Sequence, residues 1–333
     1  MPDRPRIPRL GYTHLFDIIQ SVLMSLFFRY RTGLALLLVL PLTGCLFRSH
    51  KVQQPIDIVQ VKTATQQELI NYINAQAAAI QSMQATVDID TTVGGVQKGK
   101  VTDYKEIRGY VLVRKPAMLR MIGLMPIVRN KAFDMVSDGR EFKLWIPPKN
   151  RFVEGLNDVS THNPAQPMEN IRPQHIYDAL LLRRIDPDNE IAVLETDTET
   201  VADAKNHKVS VEEYVIDVIR KGNHGWALSR KIVFNRTDLL PHRQLLYDAE
   251  GNVATNAAYG KYKSESGVNF PWQIEIERPQ EEYDITLNIV KLDLNQPLAD
   301  DKFVLEEPAG AETVYLGKPS VNPSSVPRSD DSK

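Results

Sequence analysis

Across 333 residues there is one cysteine, Cys45. A single cysteine cannot close a disulfide within the chain, and it excludes Cys-x-x-Cys metal or redox sites. Histidines are few and lack ligand spacing: beyond residue 44 they are His50, His162, His175, His207, His224 and His242. A zinc site assembled from distant positions stays open on the residues alone, but no metal and no cofactor are expected. The motifs Gly-x-Ser-x-Gly, His-Glu-x-x-His, the P-loop and Gly-x-Gly-x-x-Gly are all missing. Glu212 and Glu213 are neighbours on a strand and should point to opposite faces, so they are no ready acid/base pair. No enzyme is expected. Positive charge is not in excess either, with 40 Lys and Arg against 42 Asp and Glu. Without a basic footprint, nucleic acid is not an expected partner.

Long apolar runs are also lacking. "GLALLLVLPLTGC", Gly33 to Cys45, is the main one, and it falls short of the roughly 20 apolar residues of a spanning helix. Arg29 and Arg31 precede it and small residues end it, the pattern of a secretory signal. Leu42-Thr43-Gly44-Cys45 is similar to the bacterial lipobox, which implies a signal peptide over 1–44 and lipidation at Cys45. An uncleaved anchor or a buried core cysteine are the other readings of this run. Residues 1 to 23 make an unusually long n-region, and a start at Met24 would give a compact signal. Leu46 follows the cysteine where aspartate would be the usual inner-membrane retention signal. By resemblance to that sorting rule, a lipid-anchored outer-membrane location with the domain facing the periplasm is expected. Beyond residue 44 the chain carries 35 basic and 40 acidic side chains.

Residues 45–62 are polar with scattered apolar positions and read as a tether. Thr65-Gln66-Gln67-Glu68 has the spacing of a capping box, and Leu69, Ile73, Ala77, Ile80 and Met83 follow at helical spacing. The period then switches to two. "ATVDIDTTV" alternates, "AFDMVSDGREFKLWIPP" reads as a hairpin turning at Asp138-Gly139, and "NFPWQIEIE" alternates most cleanly. About eleven strands are predicted, joined by short turns, which argues for antiparallel meanders in a sandwich or barrel. A second short helix interrupts them, with Pro173 near its start and Ile176, Ala179 and Leu180 on one face. The domain is placed at 63–316, and residues 317–333, rich in Ser, Pro and Asp, are expected to be disordered.

What the chain does have is soft apolar surface on strands. Four of its eight methionines fall between Met118 and Met135, and methionine adapts to varied apolar partners. From composition alone the plainer reading, a core filled by adaptable side chains, is preferred.

The same stretch carries a resemblance. Gly109, Arg114-Lys115-Pro116, Leu119-Arg120, Ser137-Asp138-Gly139-Arg140, Trp145 and Pro147 look like the diagnostic segment of the LolA/LolB-like lipoprotein-localisation superfamily. "LNIVKLDLNQPLADDKFVLEEPAG" is similar to that family's ending. The resemblance implies an incomplete, highly curved antiparallel β barrel closed by a lid of short helices, enclosing a cavity for acyl chains. On that fold, strand alternation makes Val111, Val113, Leu119, Met121, Met125, Phe133 and Met135 a candidate lining. Phe142, Leu144, Ile146, Phe270, Trp272 and Ile274 extend it. Leu69, Ile73, Ile80, Ile176 and Leu180 would form the lid. The family's soluble carrier has an arginine immediately before the motif proline, associated with lid closure. Here that position is Lys115, with Arg114 one residue earlier, and the pair is the candidate latch. "IGLMPIV" is the candidate for the membrane-anchored receptor's protruding apolar loop. The implied function is binding acyl chains of lipoproteins or lipids, palmitate-like in length, for transfer in the cell envelope. Partners would be those chains, the membrane through Cys45, and a periplasmic carrier or envelope protein. A non-catalytic assembly scaffold that binds a protein partner is the alternative.

Overall fold

The computed structural model describes residues 61–95, 99–159, 167–202, 208–222 and 225–317, all within one unit, Asp57–Lys333. The expected signal peptide, Cys45, nearly all of the tether and the tail beyond 317 lie outside the described residues. The tether's last residue is already docked, since Lys62 N donates to Arg236 O at 2.7 Å.

The chain enters through helix α1 (Gln66–Ala79). Its capping box is formed: Thr65 Oγ1 accepts from Glu68 N at 3.3 Å, and Glu68 Oε2 accepts from Thr65 N at 2.7 Å. A first meander follows: β1 (Ser82–Val93), β2 (Thr102–Arg114), β3 (Met118–Leu124), β4 (Lys131–Ser137), β5 (Glu141–Ile146) and β6 (Arg151–Leu156). Helix α2 (Pro173–Leu180) starts on its proline, where the missing N–H costs nothing. A second meander runs through β7 (Glu190–Ala202), β8 (Lys208–Gly222), β9 (Gly225–Asn235), β10 (Leu240–Tyr247), β11 (Val253–Glu265), β12 (Val268–Arg278) and β13 (Tyr283–Leu294), and β14 (Glu312–Leu316) follows it.

Among the described residues, fourteen strands form one sheet, in the order β14-β6-β5-β4-β3-β2-β1-β13-β12-β11-β10-β9-β8-β7. Antiparallel pairing of β1 with β13 joins the two meanders. Two expectations are corrected here. The count is fourteen rather than about eleven, and the sheet is not purely antiparallel, because β14 lies parallel to β6. It does not close, since β14 and β7 are its two edges.

The sheet is nevertheless bent. Helix α2 packs against β3 and β4 and also against β11 and β12. Those outer strands are six strand spacings apart, about 29 Å along a flat sheet, whereas a helix is only about 10 Å across. Only a sheet folded around α2 brings both within reach. Register shifts at Thr86/Val87 and Ile89/Thr91 on β1 and at Gly123/Leu124 on β3 add the local twist that such bending needs.

The inner face is a grid. One row runs Leu292, Ala85, Val111, Met121, Met135, Leu144, Val153 across seven strands. The next row includes Leu294, Met83, Val113, Leu119, Ser137 and Phe142. A third contains the facing glycines Gly109 and Gly123, followed by Phe133. There the Phe133 ring takes the place of a side chain: a Cβ on Gly123 would lie 2.3 Å from Phe133 Cε1. Gly123→Ala should therefore destabilise the domain by about 1–3 kcal/mol in urea melts. Phe133→Leu in the same chain should recover part of that loss, and simple additivity of the two would show that the ring is not the obstacle.

Candidate functional site

Of the thirteen candidate lining residues, eleven are buried in one cluster on this inner face: Val111, Val113, Leu119, Met121, Phe133, Met135, Phe142, Leu144, Ile146, Phe270 and Ile274. Trp272 packs on the same cluster but is only partly buried. Met125 is not brought there. It follows β3 and borders a separate open cavity of about 500 Å³ with Asp88, Arg108 and Ile127.

The helices divide the candidate lid residues between two clusters. Ile80, Ile176 and Leu180 join the lining cluster. Leu69 and Ile73 instead pack on Tyr214, Ile216, Val218, Ile232 and Phe234 of β8 and β9. The α1 stripe was legible, but its target was not, because one helix face fits any apolar sheet of matching width.

Both helices are bonded to the β2–β3 turn, Arg114 to Ala117. Lys115 Nζ donates to Ala77 O in the last turn of α1, where helix carbonyls lack intrahelical donors and a cation suits the dipole. The neighbouring carbonyls are met by Gln81 Nε2 at Ala78 O (2.7 Å) and Asn295 Nδ2 at Ala79 O (2.8 Å). Tyr177 Oη of α2 donates to Pro116 O at 2.6 Å. Arg114 faces the other way, with Nη1 on Leu298 O at 2.6 Å and Nη2 on Asp300 at 2.5 Å, holding the C-terminal segment. Ala117 meets the Ser-Asp-Gly hairpin, since a Cβ on Gly139 would lie 2.4 Å from Ala117 Cβ. The two halves of the sequence motif thus touch. The candidate latch residues separate: Lys115 binds helix, Arg114 binds the outer strap.

Helix α2 ends equally tied. Gln244 Nε2 donates to Asp178 O at 3.0 Å and Tyr259 Oη to Ala179 O at 2.9 Å. The connector after α2 is clasped by buried Glu190, which takes Arg220 (2.7 Å), Arg183 (3.1 Å) and Arg230 (3.1 Å). Burial alone would push the Glu190 carboxyl up, but these arginines, Arg230 foremost, hold it below its ordinary value. No spacing along the chain announces this clasp, whose members lie on three strands and a loop.

Between the C-terminal halves of α1 and α2 and strands β10–β12 lies a small cavity of about 30 Å³. Tyr72, Ile80, Lys115, Leu180, Tyr259 and Phe270 are among the residues lining it. Burial raises the Tyr72 hydroxyl to about 12 and pushes the Lys115 ammonium down. A larger polar cavity of about 290 Å³, with Arg172, His175, Asp178 and Arg278, sits at the other end of α2. There His175 Nδ1 lies 3.3 Å from Tyr283 Oη. Burial, then the charges of Arg278 and Arg172, push His175 well below its ordinary value. Among the described residues no three His, Cys, Asp or Glu side chains converge as metal ligands, and no helix is long and apolar enough to cross a membrane.

At the β3–β4 turn, Ile127 and Val128 are 96% and 57% exposed, and Ile127 has φ 67°. Few β-branched residues accept that conformation. This is the tip of the "IGLMPIV" stretch.

No family model matches the sequence, and no curated protein does. Among solved structures, the chain is similar to a LolA superfamily protein from Nitrosomonas europaea, at 15% identity and a TM-score of 0.43, over 73% of this chain and 99% of that one. It is also similar to a putative outer membrane lipoprotein-sorting protein domain from Vibrio parahaemolyticus, at 12% identity and a TM-score of 0.44, over 71% and 94% of the two chains. These are likenesses of fold at low identity, and the reading of the site rests on its own residues.

Two outcomes follow from the geometry. Lys115→Met should speed amide exchange in the last turn of α1 by about fivefold, the loss of one half-exposed charged hydrogen bond worth about 1 kcal/mol. Exchange in β8 and β9 should stay as it was, and an unchanged α1 would show that the bond does not hold the helix. His175, whose folded pKa lies below its unfolded value of about 6.5, binds its proton more readily when unfolded. Stability should therefore fall as pH drops below about 6.5, by at most about 1.4 kcal/mol per unit for this one group. His175→Gln should flatten that slope in melts between pH 6.5 and 5.

Proposed function

We propose that this domain is a non-catalytic carrier that shelters acyl chains of lipoproteins or lipids on the inner face of a bent half-barrel, with α1 and α2 as its lid. The observation that carries this reading is the continuous apolar inner face, rich in methionine and filled by α2 rather than by a second sheet. The cavity of about 30 Å³ is far too small for an acyl chain, so the reading requires the lid to yield.

The energies allow it. Each CH₂ moved from water to an apolar site gives about 0.8 kcal/mol, so a sixteen-carbon chain gains on the order of 12 kcal/mol. Ile176, Tyr177, Leu180 and Leu181 are the large apolar side chains that the α2 segment buries. At about 1.5–3 kcal/mol each they account for roughly 6–12 kcal/mol. Ligand and lid thus compete on nearly equal terms, which is what capture and release both need. Met83, Met121 and Met135 suit the exchange, since unbranched thioethers repack more readily than β-branched residues.

Lipidation at Cys45 would tether the domain to the outer membrane, and the exposed Ile127-Val128 tip would serve as the apolar loop of an anchored receptor. A scaffold for a protein partner is the alternative, but no observation on the described residues favours it over the lipid reading.

The domain from Asp57 onward, expressed in an envelope and purified without detergent, should carry acyl lipid detectable by mass spectrometry at near-stoichiometric amount. Met121→Asp, which puts a charge into the middle of the lining, should abolish it. Recovery of folded protein with no lipid, and no uptake of an added fluorescent acyl probe, would sink the carrier reading.

A further inference from the structure

The small cavity between the helix ends has one charged residue in its lining, and its sign is positive. Around Lys115 the walls are apolar or neutral: Ile80, Leu180 and Phe270 are buried, Tyr72 and Tyr262 are half-buried, and Asn269 lies at the exposed rim. No Asp or Glu lines the cavity. Lys115 forms no ion pair among the described residues, and its ammonium donates to the neutral Ala77 carbonyl. An ammonium half-removed from water with no counter-anion is a costly arrangement. The same arrangement suits a ligand that brings the missing charge.

Resting on the acyl-carrier reading, we infer that Lys115 is a specificity residue for anionic single-chain amphiphiles, taking a carboxylate or phosphate headgroup at the cavity rim while the chain enters along the lining. The geometry supplies both ends of such a molecule. Ile80 and Phe270 of the cavity wall belong to the same buried apolar cluster as the Met121–Met135 row, and Lys115 and Asn269 line the same cavity. Ligand arrival would also move the Lys115 ammonium from Ala77 O to the headgroup, freeing the end of α1 as the chain replaces the lid. One residue would then couple recognition of the head to release of the helix. A neutral amphiphile of equal length lacks the anion that draws Lys115 away from Ala77 O, and it should bind less well.

The test uses the full chain, held in an amphipathic polymer instead of detergent, and two diazirine-bearing sixteen-carbon probes, a fatty acid and the matching fatty alcohol. Photolabelling is mapped by mass spectrometry to peptides of β11, β12 and α2, which separates cavity binding from partition into the polymer. The acid should label these peptides about tenfold more than the alcohol. In Lys115→Met the ratio should collapse to about one, and Lys115→Arg should keep it. Lys115→Gln retains a donor for Ala77 O without the charge, so it decides the matter if the Met variant fails to fold. Competition by unlabelled palmitate and by lysophosphatidic acid of equal chain length tells whether carboxylate or phosphate is the better head. Equal labelling of the wild type by both probes, or a preference that survives in Lys115→Gln, would overturn the inference while leaving the carrier intact. Absence of cavity labelling by either probe would remove the carrier reading and this inference together.

Discussion

The four residues Arg114, Lys115, Pro116 and Ala117 are where the domain is tied together. The turn between β2 and β3 reaches α1 through Lys115, α2 through Pro116 O, the C-terminal segment through Arg114 and the Ser-Asp-Gly hairpin through Ala117. The end of the strand falls between the two basic residues. Arg114 is the last residue of β2 and Lys115 the first of the turn, and their side chains go one to the outer strap and one to the inner helices. Swapping their order would deprive α1 of its ammonium and the strap of its guanidinium at once. The outer strap matters because it covers the back of the same strands. Leu305 packs there with Val136 and Phe152, and Arg120 donates to Lys302 O at 2.9 Å while pairing buried Asp134 at 2.9 Å. A long sheet needs cover on both faces of its apolar half, and the chain supplies α2 inside and residues 298–311 outside.

A sheet of fourteen strands that remains open faces two difficulties: it exposes edges, and it must bury one face without a partner sheet. The first is met by shortness at one edge, where β14 has five residues, and by charge at the other. Strand β7 carries Glu195, Asp197 and Glu199, side chains that discourage strand addition by another chain. The second is met by bending around α2. Facing glycines at 109 and 123 permit this, for they remove two side chains from the row where the Phe133 ring lies against the backbone. The bend and the helix are thus one requirement seen from two sides. Without α2 the inner face would stand open to water, and without the bend α2 could reach only one meander.

Much of this architecture was legible because it is local or periodic. The capping box at Thr65, the proline start at Pro173, the Asp138-Gly139 turn and the parity of Val111, Met121, Met135 and Leu144 all follow from spacings of two to four residues. Other features were not legible, each for a physical reason. Strand β6 is six residues with a glycine at Gly155, and β14 follows a proline- and glycine-bearing stretch, so neither shows a period long enough to register. Met125 continues the apolar run of β3, but the strand ends at Leu124, and parity has no meaning beyond that point. The clasp of Glu190 by Arg183, Arg220 and Arg230 joins residues up to 40 positions apart, and charges at such distances carry no pattern. The motif itself was visible as a pair of segments, while their contact through Ala117 and Gly139 was not.

The way the helices are held bears on whether they can move. Each is fastened chiefly at its C-terminal end by side chains donating to otherwise unmet carbonyls: Lys115, Gln81 and Asn295 on α1, Gln244 and Tyr259 on α2. Such bonds contribute about 1 kcal/mol each when water can replace them, and each can be exchanged singly. Apolar burial holds α2 more strongly than these bonds do, yet it is the contact that an apolar ligand restores in kind. On the proposed carrier reading, helices held by small separable polar ties over a replaceable apolar contact would open in steps, with no single costly rupture. The buried Glu190 clasp stands apart from this scheme, because a carboxylate surrounded by three guanidinium groups is expensive to break. It sits just after α2, and on the carrier reading it would be the fixed end of that helix.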